Sequence, residues 1–233
     1  MPRINWGQAA GEALLILVGV LLALGADALW EERSERAQEK EYLGALVDEL
    51  HQLQIHVASV ADVATEVEDT GRELLRVSAN WSSAPVTPDS LANLIAVLSV
   101  DGEWSPPRTV YDDLVNTGAV RLIRSDEVRR ELNELTASLA WVETRQERHN
   151  GFFWTEMEPY FRANLPVLAV FGWGSLPAPT ESWTPGPFVA TEEFRNLVAA
   201  KSLTAMDVRD GAERLLTLIE RVIRTIEAHG GAP

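Results

Sequence analysis

The first third of the chain contains almost no proline, and this constrains the fold more than any other feature. More than eighty residues separate Pro2 from Pro85 without another proline, so nothing there forces a helix to break. Apolar or small residues recur in alternating steps of three and four, which predicts one continuous apolar helix face. They are Leu43, Leu46, Leu50, Leu53, Val57, Val60, Ala64, Val67, Gly71 and Leu74. We predict one helix over about 6–79, in a coiled coil or a bundle. Unbroken it reaches about 110 Å, so we expect a bend near Gly44 or Ser59.

Residues 9–30 predict a membrane anchor. Fourteen uncharged residues run from Ala13 to Ala26, which is short for a span of about 20. Trp6 and Trp30 lie 24 residues apart, roughly 36 Å along a helix, so they can act as membrane-interface residues, one ring at each headgroup layer. Two alternatives stay open: a signal peptide cleaved after Ala26-Asp27-Ala28, and a buried helix of a soluble domain.

This interpretation divides the chain into four parts. Eighteen arginines against two lysines, with abundant Ala, Val and Leu, are typical of a GC-rich bacterial genome, so we expect a bacterial inner membrane. Residues 1–8 form a short tail, 9–30 the anchor, 31–79 the stalk and first bundle helix, and 80–233 a helical domain. The count of Lys and Arg beside the span slightly favours a cytoplasmic body. A large C-terminal domain can cross the membrane regardless, and we expect the body in the periplasm.

Charge and cysteine content exclude several functional classes. The net charge is −15, and residues 1–30 contribute only −1 of it, so the remaining body is acidic. Such a surface is a poor partner for nucleic acid or for an anionic lipid leaflet. The chain has no cysteine, which excludes disulfides, thiolate nucleophiles and cysteine-ligated metals but leaves the compartment undecided.

The rest of the chain also predicts helices, so the expected fold class is all-α: one transmembrane helix continuing into a stalk that packs in a helical bundle. Asp89 or Ser90 caps a short helix over 91–98, and Pro107 precedes a helix over 109–116 that ends at Gly118. A long helix begins after Ser125 and ends near 159–164. Thr191 caps a helix over 192–200. A final helix carries a second seam from Val208 to Ile226. No stretch predicts a strand.

No residues combine into a catalytic, cofactor-binding or metal site. His51 and His56 are five residues apart, which misses the spacing of four that places two zinc ligands on one helix face. There is no glycine-rich phosphate loop and no nucleophile elbow. We therefore expect a protein that is not an enzyme and that uses no cofactor.

Aromatic residues supply the candidate partner contacts, which are Phe152, Phe153, Trp154, Trp173 and Trp183. The first three belong to the cluster GFFWTEMEPYF at 151–161, which covers more than one helix face. It predicts either a core layer or a partner surface, because such residues are enriched in interface cores. Trp173 and Trp183 lie in a Trp- and Pro-rich loop at 165–188, and either docks on a protein or dips into lipid headgroups.

Two passages of the chain have recognisable patterns. The first is ILVGVLLALGADALWEERSERAQEKEYLGALVDEL, an apolar run followed by a charged stalk and a Tyr-Leu pair. The second is TVYDDLVNTGAVRLIRSDEVRREL, with an aromatic-acid-x-Leu helix, a Gly turn and a Leu-Ile pair. Both resemble a family of uncharacterised single-pass bacterial inner-membrane proteins with an I-G-V-L-L-A-L type anchor. The resemblance covers roughly the first 140 residues and implies an N-terminal anchor with a helical extramembrane domain, but no activity.

These observations together predict a non-catalytic accessory or scaffold subunit of a larger membrane complex. Its partners are other membrane-protein subunits and, through residues 9–30, the lipid bilayer. One concrete form is a linker between a photosynthetic reaction centre and its antenna. The alternative is a homodimeric membrane-anchored sensor, which needs the 43–74 seam to be free in the monomer.

Overall fold

The computed structural model describes residues 6–83, 86–166, 170 and 186–231, leaving out the side chains of residues 6–14, 16, 230 and 231. Every regular element in these ranges is helical, which confirms the all-α fold class for the described chain. The α-helices are α1 Trp6–Ala79, α2 Pro88–Val97, α3 Thr109–Asn116, α4 Asp126–Phe152, α5 Glu158–Asn164 and α6 Glu192–Ile226. The 3-10 helices Ala119–Leu122 and Pro187–Ala190 and the π-helical turns Phe153–Met157 and Glu227–Gly231 complete the elements.

Helix α1 is one element of 74 residues, as predicted, and it runs through Gly44 and Ser59 without a break. The seam predicted from Leu43 to Leu74 is buried along its whole length, with Val57, Val67 and Leu74 fully inaccessible. The seam therefore packs within the chain, as in a helical bundle, and its residues are not available to a coiled-coil partner.

The seam of α1 packs against α6, which runs antiparallel to it. Near one end Gly71 meets Ser202, and further along Glu68 pairs with Arg209. The second predicted seam, from Val208 to Ile226, is also buried. Helix α6 contacts α4 as well, so α1, α6 and α4 form the bundle, and α3 packs on α1.

The bundle contains two large hydrophobic clusters. The first joins α1 from Leu43 to Ala61 with α3, α4 and the C-terminal half of α6. The second joins α1 from Val67 to Val77 with α2, α5 and the N-terminal half of α6. Helices α1, α4 and α6 pass from one cluster to the other, and α4 and α6 carry buried polar residues between them.

Of three predicted N-terminal helix caps, two are correct and one is shifted. Ser125 Oγ accepts a hydrogen bond from Val128 N, and Thr191 Oγ1 accepts one from Phe194 N. Helix α2 begins at Pro88, earlier than expected, because Thr87 Oγ1 accepts from Ser90 N and proline at the first position needs no donor there. Gly118 ends α3 with φ 72, as predicted.

The prediction of two separate C-terminal helices is wrong, because α6 is continuous from Glu192 to Ile226. The intervening stretch KSLTAMD has no proline or glycine, and Lys201, Ala205 and Val208 are buried at helical spacing. The buried lysine obscured this pattern in the sequence. Helix α4 continues through its π-helical turn into α5, which ends at Asn164, within the predicted limits.

Candidate interaction surfaces

The N-terminal part of α1 exposes large apolar side chains in every direction. We call residues 15–30 the apolar segment. Leu15 is 75% exposed, Leu22 69% and Trp30 76%. The other large exposed members are Leu17, Val18, Val20, Leu21, Leu24 and Leu29. Consecutive positions such as 20, 21 and 22 point about 100° apart on a helix, so the apolar surface surrounds the helix. None of these side chains belongs to either core.

No helix in the described part of the chain is long and apolar enough to cross a membrane. The predicted interface residue Trp30 is exposed at the end of the apolar segment, and the side chain of Trp6 lies outside the described residues. The anchor over 9–30 therefore stays a prediction.

A cluster of charges joins the next part of α1 to the bundle. Arg124, which follows the first 3-10 helix, lies within 4 Å of three carboxylates: Glu32 at 3.6 Å, Glu35 at 3.8 Å and Glu39 at 3.7 Å. Its backbone N also donates to Glu39 Oε1 at 2.6 Å. These contacts connect the base of the apolar segment to the body of the molecule.

The aromatic cluster at 151–161 lies mainly in the second core. Phe153 is 1% exposed and contacts Phe161, which is fully buried, as is Met157. Phe152 is half-buried and packs against the same core. The expectation that Phe153 contacts a partner is wrong, because its ring fills the interior where α4 passes into the π-helical turn.

Trp154 is the member of the cluster with a free surface, being 48% exposed. Its Nε1 donates to Asp101 Oδ2 at 2.9 Å, so its orientation is fixed by the loop before α3. Adjacent helical positions point about 100° apart, so Phe153 faces the core while Trp154 faces outward where α4 passes into the π-helical turn. Trp173 and Trp183 lie outside the described residues, and their role as partner contacts stays a prediction.

Polar groups are buried between the two cores. Lys201, inaccessible to solvent, donates from Nζ to the backbone oxygen of His149 at 2.8 Å. His149 Nδ1 lies 3.0 Å from Thr204 Oγ1, whereas His149 Nε2 and Gln146 Oε1 are buried with no hydrogen-bond partner among the described residues. Burial, followed by the charge of Lys201, lowers the pKa of His149 to about 3. Burial lowers the pKa of Lys201 to about 8, and Asp101 opposes that shift.

The same layer holds the loop before α3. Gln146 Nε2 and Asn150 Nδ2 each donate to the backbone oxygen of Gly102 at 3.0 Å. A side chain at Gly102 would collide with Gln146, so glycine is needed for this approach. The arrangement is structural, because its polar atoms hold the loop in place and the side chains of Lys201 and His149 are almost inaccessible to solvent.

The other histidines are separate from one another. His51 interacts with Gln54 on its own helix, and His56 Nε2 accepts from Ser105 N at 3.3 Å, next to the ring of Trp104. Among the side chains that the structure describes, no three His, Asp or Glu groups are arranged to hold a metal ion.

A groove lies between α4 and α6, and the sequence analysis did not predict it. Trp141 lies on a mostly polar face of α4 and is 39% exposed, with the guanidinium carbon of Arg145 4.4 Å from its ring centroid. Gly211 of α6 leaves room for the ring, since a Cβ there would lie 2.4 Å from Trp141 Cζ3. An exposed tryptophan between charged residues was the available signal.

No family model, curated protein or solved structure matches this chain.

Proposed function

We propose that the protein is a membrane-anchored, non-catalytic scaffold subunit that stabilises a larger bacterial membrane complex. Helix α1 enters the bilayer through residues 9–30. The same helix then continues into the bundle and holds it beside partner membrane proteins. The resemblance to single-pass inner-membrane proteins supports this proposal independently of the geometry.

The observation that carries the proposal is the exposure of the apolar segment on all sides. A helix that is apolar all round is stable when it is buried in protein or lipid. At roughly 25 cal/mol per Å² of apolar surface removed from water, covering a leucine stabilises by about 1.5–3 kcal/mol. Leu15, Leu17, Leu21, Leu22 and Leu24 together give a strong drive towards a covered state.

The distribution of charge supports lipid as the covering environment. The apolar segment ends at Trp30, and the charged sequence EERSERAQEKE follows at once. Such a sharp boundary with an aromatic residue is typical of a helix at a membrane surface. The acidic body is repelled by anionic headgroups, so it would extend from the membrane towards partner proteins.

The proposal places the body in the periplasm and names the partners only as membrane-protein subunits. A large C-terminal domain can cross the membrane whatever charges flank the span. A linker role in photosynthesis is one form of this proposal, although no residue points to a photosynthetic reaction centre in particular. The sensor alternative has no observation in its favour, since the 43–74 seam packs within the chain.

Membrane fractionation of the expressed full chain tests the anchor. We expect the protein to sediment with membranes and to resist carbonate extraction. The variant Leu17→Asp/Leu21→Asp/Leu24→Asp should shift it to the soluble fraction, since each carboxylate near a bilayer centre costs about 2.5–3.5 kcal/mol. Ile55→Asp is the matched control, because Ile55 is 66% exposed on the bundle part of α1.

Purification from native membranes in mild detergent tests the scaffold role. A fixed ratio of co-purifying membrane subunits supports it, and a monodisperse monomer contradicts it. Trp173→Ala with Trp183→Ala tests the predicted loop contacts, and loss of co-purification at unchanged helical content supports them. A fraction that is soluble without carbonate treatment contradicts the anchor itself.

A further inference from the structure

The groove between α4 and α6 concentrates positive charge on an acidic molecule. The arginines at its rim are Arg214, Arg221 and Arg224, and the carboxylate in its lining is Glu134. Arg221 already binds Glu134 at 2.8 Å and lies 3.5 Å from Glu131. Among the described residues neither Arg214 nor Arg224 pairs with a carboxylate, and Arg214 Nε donates to the backbone oxygen of Asp210 at 2.9 Å. The groove therefore presents unneutralised guanidinium groups, although the chain as a whole carries −15.

The arginines lie beside apolar surface. Trp141 forms one wall, and Arg214 approaches its ring from the α6 side, with 5.6 Å from guanidinium carbon to ring centroid. Leu215 and Leu218 form the floor, and Ala137 adds an exposed small residue on α4. A large aromatic ring with arginines around it is the composition of interface hot spots.

The size of the groove fits a helix. Its volume is about 520 Å³, and along α6 its lining extends from Gly211 to Arg224, about 20 Å at 1.5 Å per residue. Two neighbouring helices with a groove of this length are a common receptor for a third helix of three to four turns, which inserts its apolar face.

We propose that this groove binds an acidic amphipathic helix of a partner protein. The apolar face of that helix packs on the exposed Trp141 and Ala137, above the buried Leu215 and Leu218. Its carboxylates pair with Arg214 and Arg224. Charge complementarity determines the choice of occupant, because a basic helix or a second acidic surface without an apolar face lacks one of the two contacts. The inference rests on the proposed scaffold function and names the chemistry of its partner.

The test uses the purified full chain in mild detergent and a labelled synthetic helical peptide of about 18 residues, long enough to fill the groove. The peptide carries leucines at i, i+3, i+4 and i+7 with glutamates on both flanks, and the comparison peptide carries lysines in place of the glutamates. Fluorescence anisotropy should show saturable binding of the glutamate peptide, at least about tenfold tighter than the lysine peptide. Equal binding of both peptides, or none, overturns the inference.

Two variants locate the binding. Arg214→Glu with Arg224→Glu should weaken the glutamate peptide about tenfold or more, since attraction becomes repulsion at both positions. The matched control is Arg33→Glu with Arg121→Glu, which should leave the affinity unchanged. Both arginines are exposed, lie outside the groove and pair with no carboxylate in the part of the chain that the structure describes. Equal weakening by both pairs overturns a specific site.

Ala137→Trp fills the groove and removes no charge, and it should abolish binding while far-UV circular dichroism stays unchanged. If binding persists in Ala137→Trp, the peptide lies elsewhere. If the wild-type chain sediments as a dimer that Ala137→Trp converts to a monomer, a second copy occupies the groove and the inference is wrong. If the protein does not bind the peptide but still sediments with membranes, the groove inference alone is wrong. If the protein is soluble and still binds the peptide, the scaffold function alone is wrong.

Discussion

Lys201 Nζ donates a hydrogen bond to the backbone oxygen of His149 at 2.8 Å, and both side chains are buried between the two hydrophobic clusters. A lysine and a histidine, each of which becomes positively charged on protonation, therefore share an interior site. Asp101 is the carboxylate that opposes the shift in the pKa of Lys201, and its Oδ2 also accepts from Trp154. The site consequently disfavours protonation of both residues.

Lys201→Met should stabilise the protein at pH 7. Burial lowers the pKa of Lys201 from 10.5 to about 8, and keeping the amine charged below pH 8 costs about 3 kcal/mol of folding free energy. Loss of the hydrogen bond to His149 costs about 1 kcal/mol, so the free energy of unfolding should rise by about 2 kcal/mol in total. Methionine has nearly the same length and no polar atom to bury. Urea unfolding of the full chain measures the change.

The stability of the wild type should depend on pH through Lys201. Between about pH 8 and 10.5 the unfolded chain binds more protons at this group, so the free energy of unfolding of the wild type rises with pH relative to Lys201→Met. Lys40→Met is the control, because Lys40 is exposed. A variant less stable than the wild type at pH 7 would show that the hydrogen bond outweighs desolvation.

His149 should make the protein sensitive to acid. Its pKa is lowered from 6.5 to about 3, so stability is fully present above pH 6.5 and is lost as the pH falls towards 3. At pH 5 this group alone costs about 2 kcal/mol. His149→Gln, which can still bond to Thr204, should lose that part of the pH dependence.

The exposed His51 provides the control for His149. His51→Gln should keep the acid sensitivity of the wild type, measured as the difference in unfolding free energy between neutral and acidic buffer. In acidic buffer the double variant His149→Gln/Lys201→Met should change the free energy of unfolding by less than the sum of the two single changes. The reason is that the charge on each residue disfavours the charge on the other. Unchanged acid sensitivity in His149→Gln would contradict the assignment.

The sequence was sufficient to predict the helices that follow a regular apolar pattern. The seam from Leu43 to Leu74 and the caps at Ser125 and Thr191 depend on local spacing and local hydrogen bonds, which can be read directly. The apolar spacing did not predict the continuous helix through Lys201, because a buried lysine interrupts the apolar pattern there. Its environment is set by α4, more than fifty residues earlier in the chain.

The candidate surfaces show the same division. Phe153 and Trp154 are adjacent aromatic residues, yet Phe153 is 1% and Trp154 48% exposed, because packing against the second core determines which ring points inward. The groove at Trp141 needs the register of α4 on α6, including the space left by Gly211. Tertiary register of this kind is absent from any single segment of sequence.

Gly71→Ala and Gly44→Ala should have opposite effects. A Cβ at Gly71 would lie 1.9 Å from Ser202 Oγ and 3.1 Å from Ser202 Cβ, where α1 and α6 pack closely, so the Ser202 hydroxyl must turn away and the two helices must shift slightly. We expect a loss of about 1–3 kcal/mol. A Cβ at Gly44 meets nothing within 4 Å, and alanine there should gain up to about 1 kcal/mol through helix propensity.

The thermal unfolding midpoints of the two glycine variants should therefore move in opposite directions from the wild type. Gly71→Ala with Ser202→Ala removes the Oγ collision but keeps the close Cβ, and should recover part of the loss. A Gly71→Ala variant as stable as Gly44→Ala would contradict the close packing of the two helices.

Glu49 of α1 caps the N-terminus of α3 from a distance in sequence. Helix α3 has no side-chain cap of its own at Arg108, and the two carboxylate oxygens of Glu49 accept from Val110 N at 2.7 Å and Tyr111 N at 3.1 Å. A negative charge also interacts favourably with the helix dipole at this end. Glu49→Ala should therefore cost about 1–2 kcal/mol.

Hydrogen exchange distinguishes this cap from a general loss of stability. In Glu49→Ala the amides of Val110 and Tyr111 should exchange faster, while α4 keeps its protection. Glu49→Gln should lose nearly as much as alanine, because an amide has one acceptor oxygen and would place its own donor against an N–H group. The exposed Glu66 on the same helix provides the control, and Glu66→Ala should leave both stability and exchange near the wild-type values. Equal protection of Val110 in Glu49→Ala and the wild type would show that water can replace the carboxylate at the start of α3.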